Sequence, residues 1–191
     1  RRTPKPLLPA LNCPLLGWNI AHMCNAGIHE IIINTHYLNT AFEPLKEVVT
    51  DLGVSLHLQF EAELTGPFGG VLACSNAIQN TEDFLVFAGD GLYGADIKHM
   101  LDTHRWHDAD LTLGIAEVPD GSGYGVLEVD RLGLVQSMKE KPIGVGAVST
   151  ASCGVYVVSS RLVKRMLSKS LPLDWVDVVS LLITEKRCIA P

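Results

Sequence analysis

Segments with helical periodicity alternate with short apolar segments along most of this chain. The apolar segments are rich in β-branched and aromatic residues, as buried strands are, and they cover residues 31–33, 54–58, 84–87 and 111–116. The helical segments before and between them cover residues 14–25, 39–50, 69–78 and 96–107. Helices that alternate with short buried strands predict a doubly wound α/β fold with a parallel sheet.

The second half of the chain has a different pattern. Two strand-like segments, 125–129 and 134–138, are separated by a turn, which predicts an antiparallel hairpin. A further strand and two more helices are expected at residues 155–158, 161–169 and 176–183. We therefore expect a three-layer, Rossmann-like α/β fold whose central sheet is mixed but mostly parallel. No linker interrupts the pattern, so residues 1–191 are interpreted as a single domain.

Charge and hydropathy exclude several classes of protein. With 15 basic against 21 acidic residues and a net charge of −6, the chain lacks the basic surface of a nucleic-acid-binding protein. No apolar run approaches the roughly 20 residues that a membrane-spanning helix needs. The five cysteines are scattered without a C-x-x-C pair, and no apolar signal segment follows the first residues. We therefore expect a cytoplasmic protein with reduced thiols and with neither a nucleic-acid nor a membrane partner.

Ligands of open α/β sheets bind beyond the carboxyl ends of the strands, and four segments carry suitable chemistry. The first is TPKPLLP at residues 3–9. Lys5 lies between two prolines, which keep the backbone stiff and make the ammonium a well-placed charge for a phosphate. The alternative is an ordinary exposed lysine, and this segment alone favours that alternative.

The second segment is EAELTGPFGG at residues 61–70, between a predicted strand and a predicted helix. It has neither the P-loop pattern nor G-x-G-x-x-G. Its glycines would let backbone N–H groups at the helix N-terminus approach a ligand closely. A plain glycine turn that leads tightly into the helix explains the segment equally well.

The third segment is GDG at residues 89–91, directly after the predicted strand 84–87. A carboxylate in this position is a natural ligand for a hard cation such as Mg²⁺. Asp90 could instead serve in a turn or as a helix N-cap. The glycines on both sides leave room for a metal–phosphate group and favour the metal.

The fourth segment is KEKP at residues 139–142, at the end of the predicted hairpin and after GYG at residues 123–125. Neighbouring residues of a strand point to opposite faces, so Glu140 and Lys141 are expected to face apart. Ordinary surface charge is the commoner explanation of such a pair.

Taken in order, these segments resemble the sugar-1-phosphate nucleotidyltransferases, or nucleoside-diphospho-sugar pyrophosphorylases, from Pro4 to about Leu182. The sequence NTHYL at residues 34–38 resembles the branch that contains the mannose-1-phosphate guanylyltransferases. The resemblance implies the nucleotide-diphospho-sugar transferase fold. It also implies that a nucleoside triphosphate and a sugar 1-phosphate, the expected partners, give an NDP-sugar and pyrophosphate with Mg²⁺ as cofactor. The base, guanine or uracil, and the sugar stay open, and a homo-oligomer is compatible with the resemblance.

The resemblance assigns catalytic roles to three residues. Lys5 matches the lysine that neutralises the triphosphate, Asp90 the Mg²⁺ ligand, and Lys141 the lysine that binds the sugar phosphate. Five further residues match substrate-binding positions. These are Glu61 and Gly66 for the base, Gly89 for room beside the metal–phosphate, Gly125 for a backbone contact to the sugar, and Glu140 for a sugar hydroxyl.

The chain departs from the family pattern at both ends. A strand and loop of the form G-x-G-T-R-L-x-P should precede Pro4, where only Arg1-Arg2-Thr3 stands. A second metal-binding Asp is expected near a W-x-D-x-G segment, but Asp177 falls in a predicted helix and is interpreted as a helical surface residue. We interpret the chain as a trimmed enzyme, and the alternative is a catalytically silent nucleotide-sugar binding module.

Internal departures and charge placement complete the pattern. Pro67 and Phe68 replace the usual T-A of G-T-A-G, and Ser152 stands where an Asn is common. The basic residues near the site form two groups, which the fold is expected to bring to the same sheet edge, where two phosphorylated substrates meet. These groups are Arg1, Arg2 and Lys5, and Lys139 and Lys141.

Overall fold

The computed structural model describes residues 3–143 and 148–191. Its helices are α1 (Leu15–Asn25), α2 (Pro44–Thr50), α3 (Pro67–Ala73), α4 (Ser75–Ile78), α5 (Ile97–Trp106), α6 (Ser160–Met166) and α7 (Trp175–Ile183), with short 3₁₀ turns at Lys5–Leu7, Asn39–Phe42 and Gly121–Gly123. Its strands are β1 (Pro9–Ala10), β2 (Cys13–Pro14), β3 (Glu30–Thr35), β4 (Ser55–Phe60), β5 (Asp83–Phe87), β6 (Leu111–Val118), β7 (Gly125–Val129), β8 (Val135–Glu140), β9 (Ser149–Ser159) and β10 (Cys188–Ile189).

The predicted helices and strands are all present, with two helices divided. The segment 39–50 starts as a 3₁₀ turn and becomes α2 at Pro44, which suits a first helical position because it lacks an N–H. The segment 69–78 is interrupted at Cys74, between α3 and α4. The predicted order of helices and strands along the chain is unchanged by these divisions.

The larger sheet is organised around β9. Its neighbours follow the order β10-β6-β9-β7-β8, and β5 also pairs with β9. Residues 155–159 of β9 pair with β5, and the same strand pairs along most of its length with β6. Near Ala151, β9 also pairs with β7, the first strand of the predicted hairpin.

The α/β class and the mixed sheet are confirmed, but the prediction of a mostly parallel sheet requires a correction. In the larger sheet, as far as residues 3–143 and 148–191 form it, only β10 and β6 are a parallel pair, and the other pairs are antiparallel. The strands β5, β6, β7 and β10 do run in one direction. Because β9 runs the opposite way and lies among them, most hydrogen-bonded neighbours are antiparallel.

The two faces of β9 pack against different helices. Val155 and Val157 pack with Met100 of α5 on one face. Tyr156 and Val158 belong to the main core cluster on the other face, together with residues of α3, α6 and α7. Alternation along one strand therefore produces the three layers, helices–sheet–helices.

A gap separates β3 from β5. Among the described residues, β3 pairs only with β4, in parallel, and β5 pairs only with β9. A cavity of about 1680 Å³ runs between the two strands and is bordered by Ile31 and Ile33 on one side and by Leu85 and Phe87 on the other. The residues of β5 are consequently half-buried, where the sequence pattern predicts a fully buried strand. Within the described part of the chain, no helix combines the length and the apolar character needed to cross a bilayer.

Candidate active site

The cavity is lined by the charged residues of the proline segment, the GDG turn and the KEKP segment. Lys5, Asp90, Glu140 and Lys141 all line it, together with the predicted glycines 89 and 125. They come from the turn before β1, the end of β5 and the end of β8. The topology thus brings residues that are far apart in the sequence to one cavity, while Arg1 and Arg2 lie outside the described residues.

Lys5 and Asp90 form an ion pair in the lining of the cavity, with Lys5 Nζ 2.6 Å from Asp90 Oδ2. The 3₁₀ turn at Lys5–Leu7 positions the lysine, since the amide of Leu7 donates to the carbonyl of Pro4. Pro6 packs beside Gly89, where an added Cβ would lie 3.5 Å from its ring. The proline segment and the GDG turn are therefore in direct contact.

Glu140 and Lys141 also meet, with Lys141 Nζ 3.0 Å from Glu140 Oε1. The expectation that these side chains face apart is wrong, because β8 ends at Glu140 and Lys141 adopts a positive φ of 43°. The amide of Lys141 donates to the carbonyl of Tyr124 at 2.8 Å, which holds this turn of the backbone. A left-handed conformation is uncommon for a residue other than glycine and is often found at functional sites.

Gly125 pairs with Glu140 across the hairpin and has no room for a side chain. An added Cβ would lie 2.5 Å from Met138 Cε and 3.2 Å from Glu140 Oε2. The glycine therefore lets the Glu140 carboxylate lie close against the backbone of β7.

Glu61 is engaged with its own surroundings. Its Oε1 accepts hydrogen bonds from the amide and the hydroxyl of Thr65, and its Oε2 accepts one from Asn34 Nδ2 at 2.7 Å. Burial raises the pKa of this carboxyl, but the hydrogen bonds from Thr65 and Asn34 outweigh burial and lower the pKa below its usual value. Glu61 thus ties the glycine segment to the end of β3, and its contact with a base stays a prediction.

The glycine segment is a tight helix entry rather than an open amide cradle. The amides of Phe68 and Gly69 both donate to the carbonyl of Leu173, and the amide of Leu173 donates to Thr65. An added Cβ at Gly66 would lie 2.5 Å from the Leu173 carbonyl oxygen. The amides of Phe68 and Gly69 are thus bonded within the protein, as in the glycine-turn explanation, and the base contact matched to Gly66 stays a prediction.

Asp177 lies in the first turn of α7, exposed, where its carboxylate accepts from the amide of Asp174 in a capping box. The interpretation of Asp177 as a helical surface residue is confirmed. Within residues 3–143 and 148–191, no group of three or more His, Cys, Asp or Glu residues could hold a metal ion. Asp90 alone fits a Mg²⁺ ion that takes most of its ligands from phosphates and water, as Mg²⁺ commonly does.

Sequence reasoning missed an aromatic wall of the cavity, made by Tyr156 and Trp175 and supported by the fully buried Phe68. The rings of Tyr156 and Trp175 are stacked with centroids 3.8 Å apart, and Phe68 meets Trp175 edge-on at 5.0 Å. Ser152, noted in the sequence only as a substitution, donates a hydrogen bond to the Tyr156 hydroxyl at 3.2 Å. Nothing in the spacing of three aromatic residues from different elements would have indicated that they meet.

Comparison with known proteins gives related sequences over most of the chain. The mannose-1-phosphate guanylyltransferase of Mycobacterium tuberculosis is 30% identical over 163 residues, which are 85% of this chain and 45% of that protein. The mannose-1-phosphate guanylyltransferase catalytic subunit beta of Drosophila pseudoobscura pseudoobscura is 28% identical over 174 residues, 90% of this chain and 47% of that protein. The chain therefore spans about half the length of these relatives.

Solved structures share the fold. A protein from Bacillus anthracis that is assigned as a glucose-1-phosphate thymidylyltransferase superposes with a TM-score of 0.87 at 17% identity, over 99% of this chain and 78% of that one. HddC from Yersinia pseudotuberculosis gives a TM-score of 0.73 at 23% identity, over 86% and 71% of the two chains. The model of the nucleotidyl transferase family matches residues 1–187. The chain therefore belongs to the nucleotidyl transferase family.

Proposed function

We propose that this chain is the nucleotidyltransferase part of an enzyme that makes an NDP-sugar and pyrophosphate from a nucleoside triphosphate and a sugar 1-phosphate. The observation that carries the proposal is that Lys5, Asp90 and Lys141 line a single cavity. A reaction between two phosphorylated substrates needs cationic groups for both of them and a carboxylate for the metal. The rest of the proposal follows from this arrangement.

In the proposed reaction an oxygen of the sugar phosphate attacks the α-phosphorus of the triphosphate. A new P–O bond forms, the bond to the β-phosphate bridging oxygen breaks, and pyrophosphate leaves with that electron pair. The nucleophile is already an anion, so no general base is needed, and catalysis consists of positioning and charge neutralisation. Lys5 neutralises the triphosphate, and Lys141 binds the sugar phosphate.

Asp90 would hold the Mg²⁺, which would supply charge neutralisation on the triphosphate. The ammonium of Lys5 contacts Asp90 in the structure, so Lys5 moves from the carboxylate to the phosphates when they bind. Gly89 and Gly91 keep side chains away from this position.

GTP and mannose 1-phosphate form the substrate pair that we propose first, because the similar curated proteins carry those substrates in their names. Glu61 is the proposed base contact. Its Oε2 accepts only from Asn34 among the described residues, and a carboxylate oxygen can accept a second hydrogen bond from a base N–H. Guanine and uracil both offer such an N–H, so UTP is the second nucleotide to test.

Two further expectations belong to the same proposal. A strand and glycine loop of the G-x-G-T-R-L-x-P form would complete the triphosphate site, and the gap between β3 and β5 supports an additional strand at that position. The whole protein is expected to act in the cytoplasm with this chain as one domain.

The test is an assay of pyrophosphate release by the protein as its gene encodes it. GTP and UTP are each combined with mannose 1-phosphate and glucose 1-phosphate, with Mg²⁺ and with EDTA. We expect Mg²⁺-dependent release with at least one pair. Binding of nucleotide and sugar phosphate without release from any pair would instead support the silent binding module.

A further inference from the structure

The aromatic wall of the cavity holds a hydrogen-bond donor that the proposed reaction does not use. Trp175 is 7% exposed and borders the cavity, and its Nε1–H donates to no acceptor among the described residues. The nitrogen is not enclosed either, since the one enclosed side-chain polar atom without a partner in the described part of the chain is His104 Nε2. A buried indole N–H usually finds an acceptor, so an open one beside a cavity points to a ligand.

The position of Trp175 relative to the proposed sugar subsite follows from Tyr156. The two rings are nearly parallel, at 12°, and the Tyr156 hydroxyl accepts from Ser152. An added Cβ at Gly125 would lie 3.2 Å from Glu140 Oε2 and 3.9 Å from Cβ of Ser152, so the Glu140 carboxylate lies beside the residue that binds the Tyr156 hydroxyl. Trp175, Tyr156 and Glu140 therefore border the same part of the cavity.

The backbone holds Trp175 in this place. Trp175 is the first residue of α7, and its backbone amide donates to the carboxylate of Asp174 at 2.6 Å. Its ring is fixed from two sides, by stacking on Tyr156 and by the edge of Phe68. A ring held in this way loses little conformational freedom when a ligand binds, which makes its N–H a preorganised donor.

The chemistry of the subsite specifies the ligand group. A sugar hydroxyl both donates and accepts, whereas the Glu140 carboxylate only accepts and Lys141 is expected at the phosphate. An N–H donor in the same part of the cavity as this carboxylate would bind a hydroxyl oxygen of the sugar. We infer that Trp175 is a sugar-binding residue, whose indole N–H donates to one hydroxyl of the sugar 1-phosphate; this inference rests on the proposed function.

The test uses the emission of Trp175 itself. Trp18 and Trp106 are 42% and 87% exposed, and replacing both by Phe leaves Trp175 as the sole tryptophan of residues 1–191. Mannose 1-phosphate, glucose 1-phosphate and inorganic phosphate are titrated into this protein. We expect a saturable change of emission with a sugar phosphate and none with inorganic phosphate.

The second measurement is a cycle of variant and substrate. Trp175→Phe keeps an aromatic ring and removes the N–H, and Trp106→Phe is the matched control on the surface. We expect Trp175→Phe to weaken the tighter-binding sugar phosphate about three- to tenfold and to leave GTP binding unchanged. Deoxy analogues that each lack one hydroxyl are then compared with the parent sugar phosphate. One analogue should bind wild type more weakly than the parent does, whereas Trp175→Phe should bind that analogue and the parent with the same affinity.

The outcomes separate the two proposals. If wild type and Trp175→Phe bind the sugar phosphates equally, the inference about Trp175 is wrong and the proposed function stands. If wild type binds nucleotide but no sugar phosphate, the proposed function is wrong and the inference falls with it. If Trp175→Phe fails to fold, the protein that keeps only Trp175 decides. Calorimetry establishes that it binds the sugar phosphate, and an emission of Trp175 that does not change on binding overturns the inference.

Discussion

The ammonium of Lys5 lies 2.6 Å from the carboxylate of Asp90, although 85 positions separate the two residues in the chain. Both side chains are about half exposed, so the pair contributes no more than about 1 kcal/mol to stability. Such a pair opens easily when a triphosphate and its metal compete for the two charges. The contact therefore keeps two proposed catalytic groups close together and leaves both of them available to the substrate and its metal.

Asp90→Asn is expected to remove Mg²⁺-dependent turnover and to leave the fold intact. The amide is a poor Mg²⁺ ligand, whereas the lost ion pair changes the free energy of unfolding by less than about 1 kcal/mol. Pyrophosphate release and thermal unfolding are the two measurements. Asp102→Asn is the matched control, because Asp102 forms an exposed ion pair with Lys98 at 2.7 Å on α5. Normal turnover by Asp90→Asn would show that Asp90 is not the ligand.

Lys141→Ala is expected to raise the KM for the sugar phosphate more than the KM for the triphosphate. The reason is that the lysine binds one substrate phosphate and neutralises little of the other. Lys139→Ala is the control, since Lys139 lies on β8 two positions before Lys141. Initial rates with each substrate varied in turn give both constants, and equal increases would contradict the role assigned to Lys141.

Gly66→Ala is expected to destabilise the fold by about 2 to 6 kcal/mol. The φ of 88° and ψ of 165° at Gly66 lie in a region used essentially by glycine alone and cost alanine about 1–3 kcal/mol, and overpacking against the Leu173 carbonyl adds about 1–3 kcal/mol. Gly27→Ala separates the two effects, because Gly27 has a similar φ of 84° against 88° but nothing within 4 Å of an added Cβ. Denaturant unfolding of both variants tests this, and equal losses would show that the clash with Leu173 is relieved.

Glu61 is expected to make stability depend on acid pH. Its folded pKa is lower than 4.5, so its contribution is complete above that pH and is lost as the pH falls through the folded pKa. At pH 7, Glu61→Gln should be about 1–3 kcal/mol less stable than wild type, because charge-assisted hydrogen bonds are lost. The difference in Tm should shrink between pH 5 and pH 3, roughly the range in which a glutamate protonates.

The neighbouring Glu63→Gln serves as the control for that series, since Glu63 is exposed in the same segment. A Tm difference for Glu61→Gln that is constant over the whole pH range would contradict the stabilising role of the carboxylate.

Local patterns predicted the longer strands and the helices, because most of these strands contain a short apolar run and these helices have an apolar side. The neighbours of β9 could not be predicted in this way. Its pairing with β5, β6 and β7 depends on side chains from distant segments, and periodicity carries no information on which strands meet.

The site was predicted in part. The order of the segments identified Lys5, Asp90, Glu140 and Lys141, and the structure brings them to one cavity. Thr65 and Glu61 are only four residues apart, so their hydrogen bonds could have been predicted from the spacing of the hydroxyl and the carboxylate. The contact of Leu173 with the glycine segment was not readable, because two backbone stretches far apart in sequence make it.

The gap beside β5 has a consequence for the order in which the protein opens. The β3–β4 pair has no backbone hydrogen bond to the larger sheet among the described residues, whereas β9 is paired on both sides. Cooperative units with few shared hydrogen bonds open at a lower free energy than the core. In the 191-residue chain, amide hydrogens of β3 should thus exchange with deuterium well before those of β9, and an additional strand in the gap of the whole protein should reduce this difference.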